Sequence, residues 1–195
     1  FAGSLAVYFW MAAKSETPLQ ARLSDANLRL VRTYQEVKSD PKGIWESLSD
    51  LIEGFKKSSD ASAFYYKVRE DFNLSNPKGD APRFIFLMAT GWNGVYRTNL
   101  SGKFNVPFGN NEKNPKFPSE IDIFVASTVL QHADLRACSW ETSLNAASVG
   151  DFIFLDPPYL ISEDRDSNIY EKDNNLYTFS NDNVFYVFLC KSRIY

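Results

Sequence analysis

Apolar residues recur at helical spacing along the first half of the chain and predict a series of helices. Residues 25–41, 43–55 and 61–73 each place apolar side chains three or four positions apart, which is the spacing of one helix face. Residues 5–13 and 82–90 are mainly apolar, so each segment predicts a buried helix or strand. We therefore expect the first half of the chain to be largely helical.

Short apolar stretches elsewhere predict strands. Residues 23–25 have the pattern of a strand end, residues 120–128 have strand character, and residues 150–160 contain the fully apolar run 152–155. Such a run is typical of a parallel strand that is covered on both faces. Helices that alternate with strands of this kind indicate an α/β fold.

Acidic residues end two of these predicted strands. Asp25 ends the first strand and Asp156 ends the last one. Because ligands of open α/β sheets bind beyond the carboxyl ends of the strands, both carboxylates are candidate site residues.

Composition indicates a folded chain in which charge is unevenly distributed. The 195 residues are 44% hydrophobic and 23% charged, with a net charge of −3, which suits a globular domain and does not by itself indicate a nucleic-acid partner. Residues 83–116, however, carry five basic residues and one acid, whereas residues 156–182 carry seven acids and two bases. Glycine, asparagine and proline are frequent in residues 91–118, which predicts a hairpin or long loop within the basic segment.

Several kinds of site are not expected from the composition. Cys138 and Cys190 have neither a metal-site spacing nor a disulfide framework and fit a reducing compartment, and His132 is the single histidine, so we expect no metal. No apolar run approaches the ~20 residues of a membrane span, so we expect a cytoplasmic protein with no membrane partner. The chain begins with Phe1 instead of methionine, which favours a piece of a longer gene product.

The stretch FLDPPYL, residues 154–160, suggests a site for a planar amine. Pro157 and Pro158 lack N–H groups and stiffen the backbone, so Asp156 and the Pro157 carbonyl form two rigid acceptors, and Tyr159 adds an aromatic face. This set suits an exocyclic amino group that donates both hydrogens while its ring stacks. The alternative interpretation is a turn that ends a strand, with Tyr159 as a packing residue.

The start of the chain offers a second candidate site. Gly3 and Ser4 allow a tight turn and a close approach of a ligand to the backbone. Asp25 follows roughly twenty residues later, a distance from a glycine loop that suits an acid binding ribose hydroxyls. A helix N-cap role for Asp25 is equally consistent with the local sequence, and both roles can hold together.

Three motif stretches follow one another along the chain, and they are FAGSLAV with LSDAN, then GWNGVYRTNLSGKFNVPFG, then DFIFLDPPY. The middle stretch is the most specific of the three. Together they resemble the Dam-type DNA adenine-N6 methyltransferases over residues 1–180. The resemblance implies a Rossmann-like methyltransferase core, truncated at both ends, that uses S-adenosylmethionine and acts on double-stranded DNA. It places this core in residues 1–42 and 120–195. It also implies a helical and β-hairpin target-recognition insertion in residues 43–119, with a basic hairpin at about 91–118.

The resemblance also implies a role for each motif residue. The methylated group would be the N6 amino group of an adenine that is flipped out of the duplex, in GATC-like sites. The catalytic residues that hold this adenine would be Asp156, Pro157, Pro158 and Tyr159. The cofactor-binding residues would be Phe1, Ala2, Gly3 and Ser4 in the glycine loop, Asp25 at the ribose, and Ser139 and Trp140 at the cofactor adenine. The DNA-binding residues would be Arg97 as a base reader, Val95 and Pro107 as apolar base neighbours, and Asn93 and Asn99 at the DNA backbone.

The chain also departs from the family pattern. Leu5 replaces a second glycine of the loop, Asn110 replaces a basic residue that often follows the hairpin, and residues 184–195 do not match. This last difference predicts a truncation or a shifted reading frame. We expect a monomer associated with the nucleoid. The alternatives are a catalytically dead DNA-binding fragment and an amino-methyltransferase for cytosine N4, RNA or protein, and roles in restriction–modification, repair or a phage stay open.

Overall fold

The computed structural model describes residues 2–76, 79–109, 115–156 and 189–191. This part of the chain contains seven α-helices, a short 3₁₀ helix and three strands. In chain order, the elements are α1 (Ala6–Lys14), β1 (Gln20–Asp25), α2 (Leu28–Ser39), α3 (Pro41–Lys57), α4 (Ala61–Leu74), α5 (Ala81–Thr90), the 3₁₀ helix (Trp92–Gly94), α6 (Glu120–Leu130), β2 (Ala133–Ala137), α7 (Trp140–Leu144) and β3 (Leu189–Lys191).

The three strands form one small sheet in the order β2-β1-β3. β1 and β2 run parallel, in a register that pairs Asp25 with Ala137 at their carboxyl ends. β3 pairs with the other edge of β1 in the antiparallel direction, and α2 packs against both parallel strands and against α6. The structure is therefore mixed α/β with a small parallel pair, which agrees with the α/β class predicted from the sequence.

The helices predicted from apolar spacing are confirmed, and their first residues are set by side-chain caps. Asn27 accepts hydrogen bonds from two backbone N–H groups at the start of α2, Asp40 accepts one at the start of α3, and Asp60 accepts one at the start of α4. Such caps satisfy donors that have no partner within the helix. The two segments that predicted either a helix or a strand, residues 5–13 and 82–90, are helical as α1 and α5.

Buried apolar residues form two clusters. The first lies around the parallel strands and includes Tyr8, Leu23, Val31, Leu130 and Leu135. The second is rich in aromatic residues and joins α3, α4 and α5 to the segment that follows them; its members include Phe55, Tyr65, Phe72, Phe86 and Phe104. Helix α3 belongs to both clusters, because Ile44 in its first turn packs in the first cluster and Leu48 in the second.

The predicted strand at residues 120–128 is wrong, because this segment is helix α6. Ser119 and Asp122 form a reciprocal capping box in which the Asp122 N–H donates to the Ser119 hydroxyl at 3.2 Å. The buried residues Ile123, Ser127 and Leu130 recur at helical spacing. Apolar residues also cover the exposed side of α6, so the helical period is hidden in the sequence.

The predicted strand at residues 152–155 is also not found. Phe152 forms a single bridge and its side chain is 47% exposed, while Phe154 is only partly buried against the first cluster. In β1, residues 21–25 pair with β2 along one edge, and residues 20–22 pair with β3 along the other edge. The short strand β2, by contrast, was not predicted, since only Ala133 and Leu135 of its five residues are buried.

Candidate functional site

The candidate cofactor site lies where the parallel strands end. Asp25 is the last residue of β1, and its backbone carbonyl accepts a hydrogen bond from the Cys138 N–H, just beyond β2, at 3.1 Å. The Gly3 N–H donates to Oδ2 of Asp25 at 3.2 Å. The structure therefore brings together the glycine loop and the strand-end acid that the sequence predicted as one candidate site.

The glycine loop has the open geometry that its residues allow. Gly3 has a φ of +50°, a left-handed conformation that favours glycine, and a Cβ atom built there would meet no atom within 4 Å. Gly3 and Ser4 are both exposed, Ala2 is half-buried, and Leu5 is buried in the first cluster. The loop thus leaves space for a ligand on the side of Gly3, while Leu5, which replaces the second glycine, serves as a core residue.

Asp25 also holds the turn between β1 and α2. Its Oδ1 accepts from the Asn27 N–H at 2.8 Å, while the oxygen that caps the helix belongs to Asn27, which accepts from the N–H groups of Arg29 and Leu30. The prediction that Asp25 itself is the N-cap of this helix is therefore wrong. The carboxylate instead connects the glycine loop to the residue that caps α2.

Tyr34 is a part of this site that the sequence did not single out. It lies on α2, and its hydroxyl donates to the Gly3 carbonyl at 2.8 Å. Burial, and to a smaller extent the charge of Asp25, raises the pKa of the Tyr34 phenol well above its ordinary value. Tyr34 therefore stays protonated and holds the glycine loop by donating to its backbone. In the sequence, the spacing of apolar residues along this helix indicated only that Tyr34 lies on the core face.

Ser139 and Trp140 follow directly after the end of β2. The Ser139 hydroxyl caps helix α7 by accepting from the Thr142 N–H at 3.5 Å, and Trp140 is half-buried as the first residue of that helix. Ser24 of β1 and Ser143 of α7 join their hydroxyl groups in a hydrogen bond. These contacts hold α7 at the same end of the sheet as Asp25.

Of the predicted catalytic residues, only Asp156 lies within the described residues. Its side chain is exposed, two residues beyond Phe154 of the first cluster. Pro157, Pro158 and Tyr159 lie outside the described residues, and so does Phe1 of the predicted cofactor loop.

Residues 91–108 fold back on themselves as the predicted hairpin. Gly91 is bridged to Phe108 and Thr98 to Phe104, both in the antiparallel direction. The turn between them is closed by the Gly102 N–H, which donates to the Asn99 carbonyl at 2.9 Å. This turn is the LSGKF stretch that the sequence indicated.

Helix α4 holds the hairpin through hydrogen bonds to its backbone. Asn73 accepts from the Phe104 N–H at 2.8 Å and donates to the Phe104 carbonyl at 3.0 Å, as a neighbouring strand would. The Val106 carbonyl accepts from the Tyr65 hydroxyl at 3.0 Å and from Arg69 at 2.9 Å, and burial raises the pKa of Tyr65 to about 12. No local pattern in the sequence indicated these contacts, because each one joins a helix side chain to a distant backbone group.

Some side chains of the hairpin are buried in the core and others are exposed to solvent. Phe104 and Val106 are buried in the second cluster, whereas all five predicted DNA-binding side chains are exposed. These exposed residues are Asn93, Val95, Arg97, Asn99 and Pro107.

Three of these exposed residues have defined local contacts or geometry. The Arg97 Nε donates to Oδ1 of Asn105 at 2.9 Å, which orients the guanidinium. The Asn99 Oδ1 accepts from two backbone N–H groups of the turn at 3.0 Å each, so this side chain holds the turn. Asn93 has a left-handed φ of 53°. Trp92 beside it is 50% exposed and was not predicted as a site residue, although an exposed indole can stack on a base.

Neither a metal centre nor a membrane span is found in the part of the chain that the structure describes. No three His, Cys, Asp or Glu side chains are grouped there so that they could hold a metal ion. None of the helices described is both long enough and apolar enough to cross a lipid bilayer.

A glycine turn joined to an acid at the end of a parallel strand is the arrangement of α/β proteins that bind nucleotide cofactors. The family of D12 class N6 adenine-specific DNA methyltransferases matches residues 1–187, and the chain belongs to this family. The predicted resemblance to adenine-N6 methyltransferases is thereby confirmed.

Individual relatives support the same family. The chain is 36% identical over 165 residues to the type II methyltransferase M.MjaIII of Methanocaldococcus jannaschii, an alignment that covers 82% of this chain and 56% of that protein. It is 35% identical over 162 residues to the retron Ec67 DNA adenine methylase of Escherichia coli, covering 82% and 53%. It is 34% identical over 138 residues to the DNA adenine methylase of Escherichia coli strain K12, covering 70% and 48%. The chain thus spans about half the length of these curated relatives.

Proposed function

We propose that the protein is a site-specific DNA methyltransferase that transfers a methyl group from S-adenosylmethionine to the N6 amino group of adenine. The observation that carries this proposal is the contact between the Gly3 N–H and the Asp25 carboxylate at the carboxyl end of β1. It joins a glycine turn to an acid at the end of a strand, which supports a site for a nucleotide cofactor in which Asp25 would bind the ribose. Membership of an adenine-specific family supplies the reaction class.

The cofactor would be held by residues at the end of the sheet. Asp25 would accept from the ribose hydroxyls, the loop of residues 1–4 would lie against the cofactor, and Ser139 and Trp140 would flank its adenine. The open space on the Gly3 side of the loop fits such a ligand. S-adenosylmethionine supplies an electrophilic methyl group on a sulfonium when it is bound.

The target base would be held by the Asp-Pro-Pro-Tyr motif. The Asp156 carboxylate and the Pro157 carbonyl would accept the two hydrogens of the adenine amino group, and Tyr159 would stack on the ring. Pro158 would keep the loop rigid. Because the amino group is unreachable inside the base stack, the adenine must leave the duplex before it can react.

DNA would be bound by the exposed face of the hairpin. Arg97 would read a guanine edge, Val95 and Pro107 would contact bases, and Asn93 and Asn99 would lie at the DNA backbone. GATC is the target we propose. We also propose that the methyltransferase core comprises residues 1–42 and 120–195 and that residues 43–119 form the recognition insertion. The second hydrophobic cluster, whose buried members all lie between Leu48 and Val106, supports this division. A monomer in the cytoplasm, associated with the nucleoid, fits this substrate.

The test is the transfer of labelled methyl groups from S-adenosylmethionine to two duplexes, one with GATC and one with the same bases scrambled. Label is expected on the GATC duplex alone, and Asp156→Ala is expected to abolish it. Asp50→Ala, which removes an exposed carboxylate on α3, is the matched control and should retain transfer. Equal labelling of both duplexes would contradict the proposed target, and no labelling of either would contradict catalysis by this chain.

A second candidate function is DNA binding without catalysis. It is favoured by the hairpin, which is held by α4 and the second cluster without any contribution from the glycine loop. Salt-sensitive binding to the GATC duplex with no methyl transfer would support it.

A further inference from the structure

The candidate cofactor site lies at the first cluster and the hairpin lies at the second. Arg29 begins near the first site, in the first turn of α2, and its side chain contacts residues beside the second cluster. Its Nη1 lies 2.5 Å from Oδ2 of Asp80, and its Nη2 donates to the Ser75 carbonyl at 3.3 Å. Ser75 follows the last residue of α4, and Asp80 precedes the first residue of α5. We call residues 75 and 79–81 the joint between α4 and α5. Arg29 therefore contacts this joint on both sides, next to the hairpin that follows α5.

The Arg29–Asp80 pair is removed from solvent. The Asp80 side chain is 4% exposed and the Arg29 side chain 19% exposed. The Ser75 hydroxyl donates to the same Asp80 oxygen at 2.6 Å, and Arg83 approaches the other oxygen at 3.3 Å. A buried ion pair contributes little net stability, because its desolvation offsets its attraction, and its best attested role is to fix how two elements align.

The Arg29 guanidinium also lies against the aromatic base of the hairpin. Its Cζ is 4.1 Å from the centre of the Phe72 ring, and that ring packs edge-on against Phe104 at 5.9 Å. Tyr96 of the hairpin packs on the same Phe104 at 5.6 Å. Burial raises the pKa of Tyr96, and the nearby charge of Arg29 partly opposes that increase. Arg29 thus contacts both the helix joint and the cluster on which the hairpin rests.

A second contact from α2 fixes the same joint. Glu36 accepts from the Gly79 N–H at 2.6 Å and from the Ala81 N–H at 3.2 Å, at the start of α5. Because Arg29 and Glu36 are seven residues apart, they lie about two turns apart on one face of α2. This face of α2 therefore contacts the start of α5 twice, through Arg29 and through Glu36.

The other end of this connection is the candidate cofactor site. Asp25 accepts from the Asn27 N–H at 2.8 Å, and Asn27 in turn accepts from the Arg29 N–H at 3.0 Å. A ligand that moves the Asp25 carboxylate would therefore move the first turn of α2, which carries Arg29.

We infer that Arg29 is a positioning residue that couples the cofactor site to the DNA-binding hairpin, so that each ligand binds more tightly when the other is present. The inference rests on the proposed function. Arg29 contacts neither ligand in this scheme. It sets the placement of α4 and α5, and hence of the hairpin, relative to the end of β1.

The test measures the affinity of the full chain for S-adenosylhomocysteine, with and without a saturating GATC duplex. The ratio of the two dissociation constants is the coupling factor, and we expect at least about fivefold for the unaltered chain. We expect a factor within about twofold of one for Arg29→Met. Arg32→Met, an exposed arginine on the same helix, is the matched control and should keep the coupling.

Two further variants separate positioning from folding. Arg29→Lys keeps the charge but lacks the fork that bonds Asp80 and Ser75 together, so it should restore the coupling only in part. Arg29→Met combined with Asp80→Asn also removes the buried Asp80 carboxylate, which the single variant leaves without its Arg29 partner. Thermal melting shows whether each variant is folded. If Arg29→Met does not fold, the double variant is measured in its place, and a coupling factor near one supports the inference.

The results that overturn the inference are distinct from those that overturn the proposed function. Retained coupling in a folded Arg29→Met or double variant overturns the inference alone. Binding of both ligands by the unaltered chain with a coupling factor of one does the same. An unaltered chain that binds neither S-adenosylhomocysteine nor the duplex overturns the inference and the proposed function together.

Discussion

The carboxylate of Asp25 connects two segments of the candidate cofactor site. It accepts one hydrogen bond from the Gly3 N–H at 3.2 Å and another from the Asn27 N–H at 2.8 Å. Both donors are backbone groups, so the contacts depend on the acceptor at this position and not on the identity of the donor side chains. The position of the glycine loop therefore depends on the Asp25 side chain as well as on Tyr34.

Replacing this carboxylate should weaken cofactor binding selectively. In Asp25→Asn one of the two oxygens becomes an NH₂ group, which cannot accept from an N–H, and the charge-assisted bonds of about 1.5–3 kcal/mol each are weakened or lost. We expect the dissociation constant for S-adenosylhomocysteine to rise at least about tenfold. Calorimetric titration measures this change, and DNA binding without cofactor should be unaltered.

The control for this prediction is Asp50→Asn, which makes the same chemical change at an exposed position of α3. It should bind S-adenosylhomocysteine as the unaltered chain does. An Asp25→Asn variant that melts normally and keeps full affinity would show that Asp25 does not bind the cofactor.

Among the elements, the hairpin depends on α4 for its position. Its two bridges alone form a narrow ribbon, and isolated two-stranded hairpins are marginally stable in water. Asn73 supplies both a donor and an acceptor to Phe104, and Tyr65 and Arg69 bind the next inward-facing residue, Val106. Side chains of helix α4 thus supply the backbone hydrogen bonds that a third strand would otherwise supply.

Removing this support should weaken DNA binding and leave cofactor binding intact. Asn73→Ala leaves the Phe104 N–H and carbonyl without these partners, which should lower the free energy of unfolding by about 1–3 kcal/mol. We expect weaker binding to the GATC duplex, measured by fluorescence anisotropy, with unaltered affinity for S-adenosylhomocysteine alone.

Lys67→Ala is the matched control for Asn73→Ala, because it truncates an exposed side chain on the same helix. It should change stability by no more than about 0.5 kcal/mol. Full DNA affinity in a folded Asn73→Ala variant would mean that the hairpin does not need α4.

The sequence predicted most helices because their signals are local. Apolar spacing and capping residues such as Asn27, Asp40 and Asp60 lie within a few positions of the helix they begin. Helix α6 was mistaken for a strand because its apolar residues cover more than one face. Strand β2 was missed because it is short and has few buried residues.

The sequence assigned Gly3 and Asp25 to one candidate site because an acid roughly twenty residues after a glycine loop suits a nucleotide cofactor. The structure shows these two residues in contact. Tyr34, Asn73 and Arg29 were not singled out, because each acts on a group from a distant part of the chain. Such contacts depend on how the helices pack, which local sequence patterns do not specify.

The molecule as a whole carries a net charge of −3, so its interaction with DNA must depend on where the charges lie. The basic residues of segment 83–116 include the exposed Arg97 and Lys103 of the hairpin. The first cluster carries the candidate cofactor site and the second carries the hairpin. We therefore expect the hairpin to contribute electrostatic attraction to DNA.

The basic hairpin predicts that DNA binding depends on salt. If the hairpin neutralises about three phosphates, raising the salt from about 50 to 200 mM should weaken DNA binding about 40-fold. Lys103→Ala should lower the slope of log Kd against log salt by about one, whereas Lys14→Ala, at the end of α1, should not. A salt-independent DNA affinity would contradict the assignment of the hairpin as the DNA-binding surface.

The central claim, adenine-N6 methylation of DNA, is tested most directly by identifying the nucleoside that carries the methyl group. After reaction with S-adenosylmethionine, the GATC and scrambled duplexes are digested to nucleosides and analysed by mass spectrometry. We expect N6-methyldeoxyadenosine from the GATC duplex alone and none from the Asp156→Ala variant. N4-methyldeoxycytidine as the product, or methylation of RNA or protein in place of DNA, would contradict it.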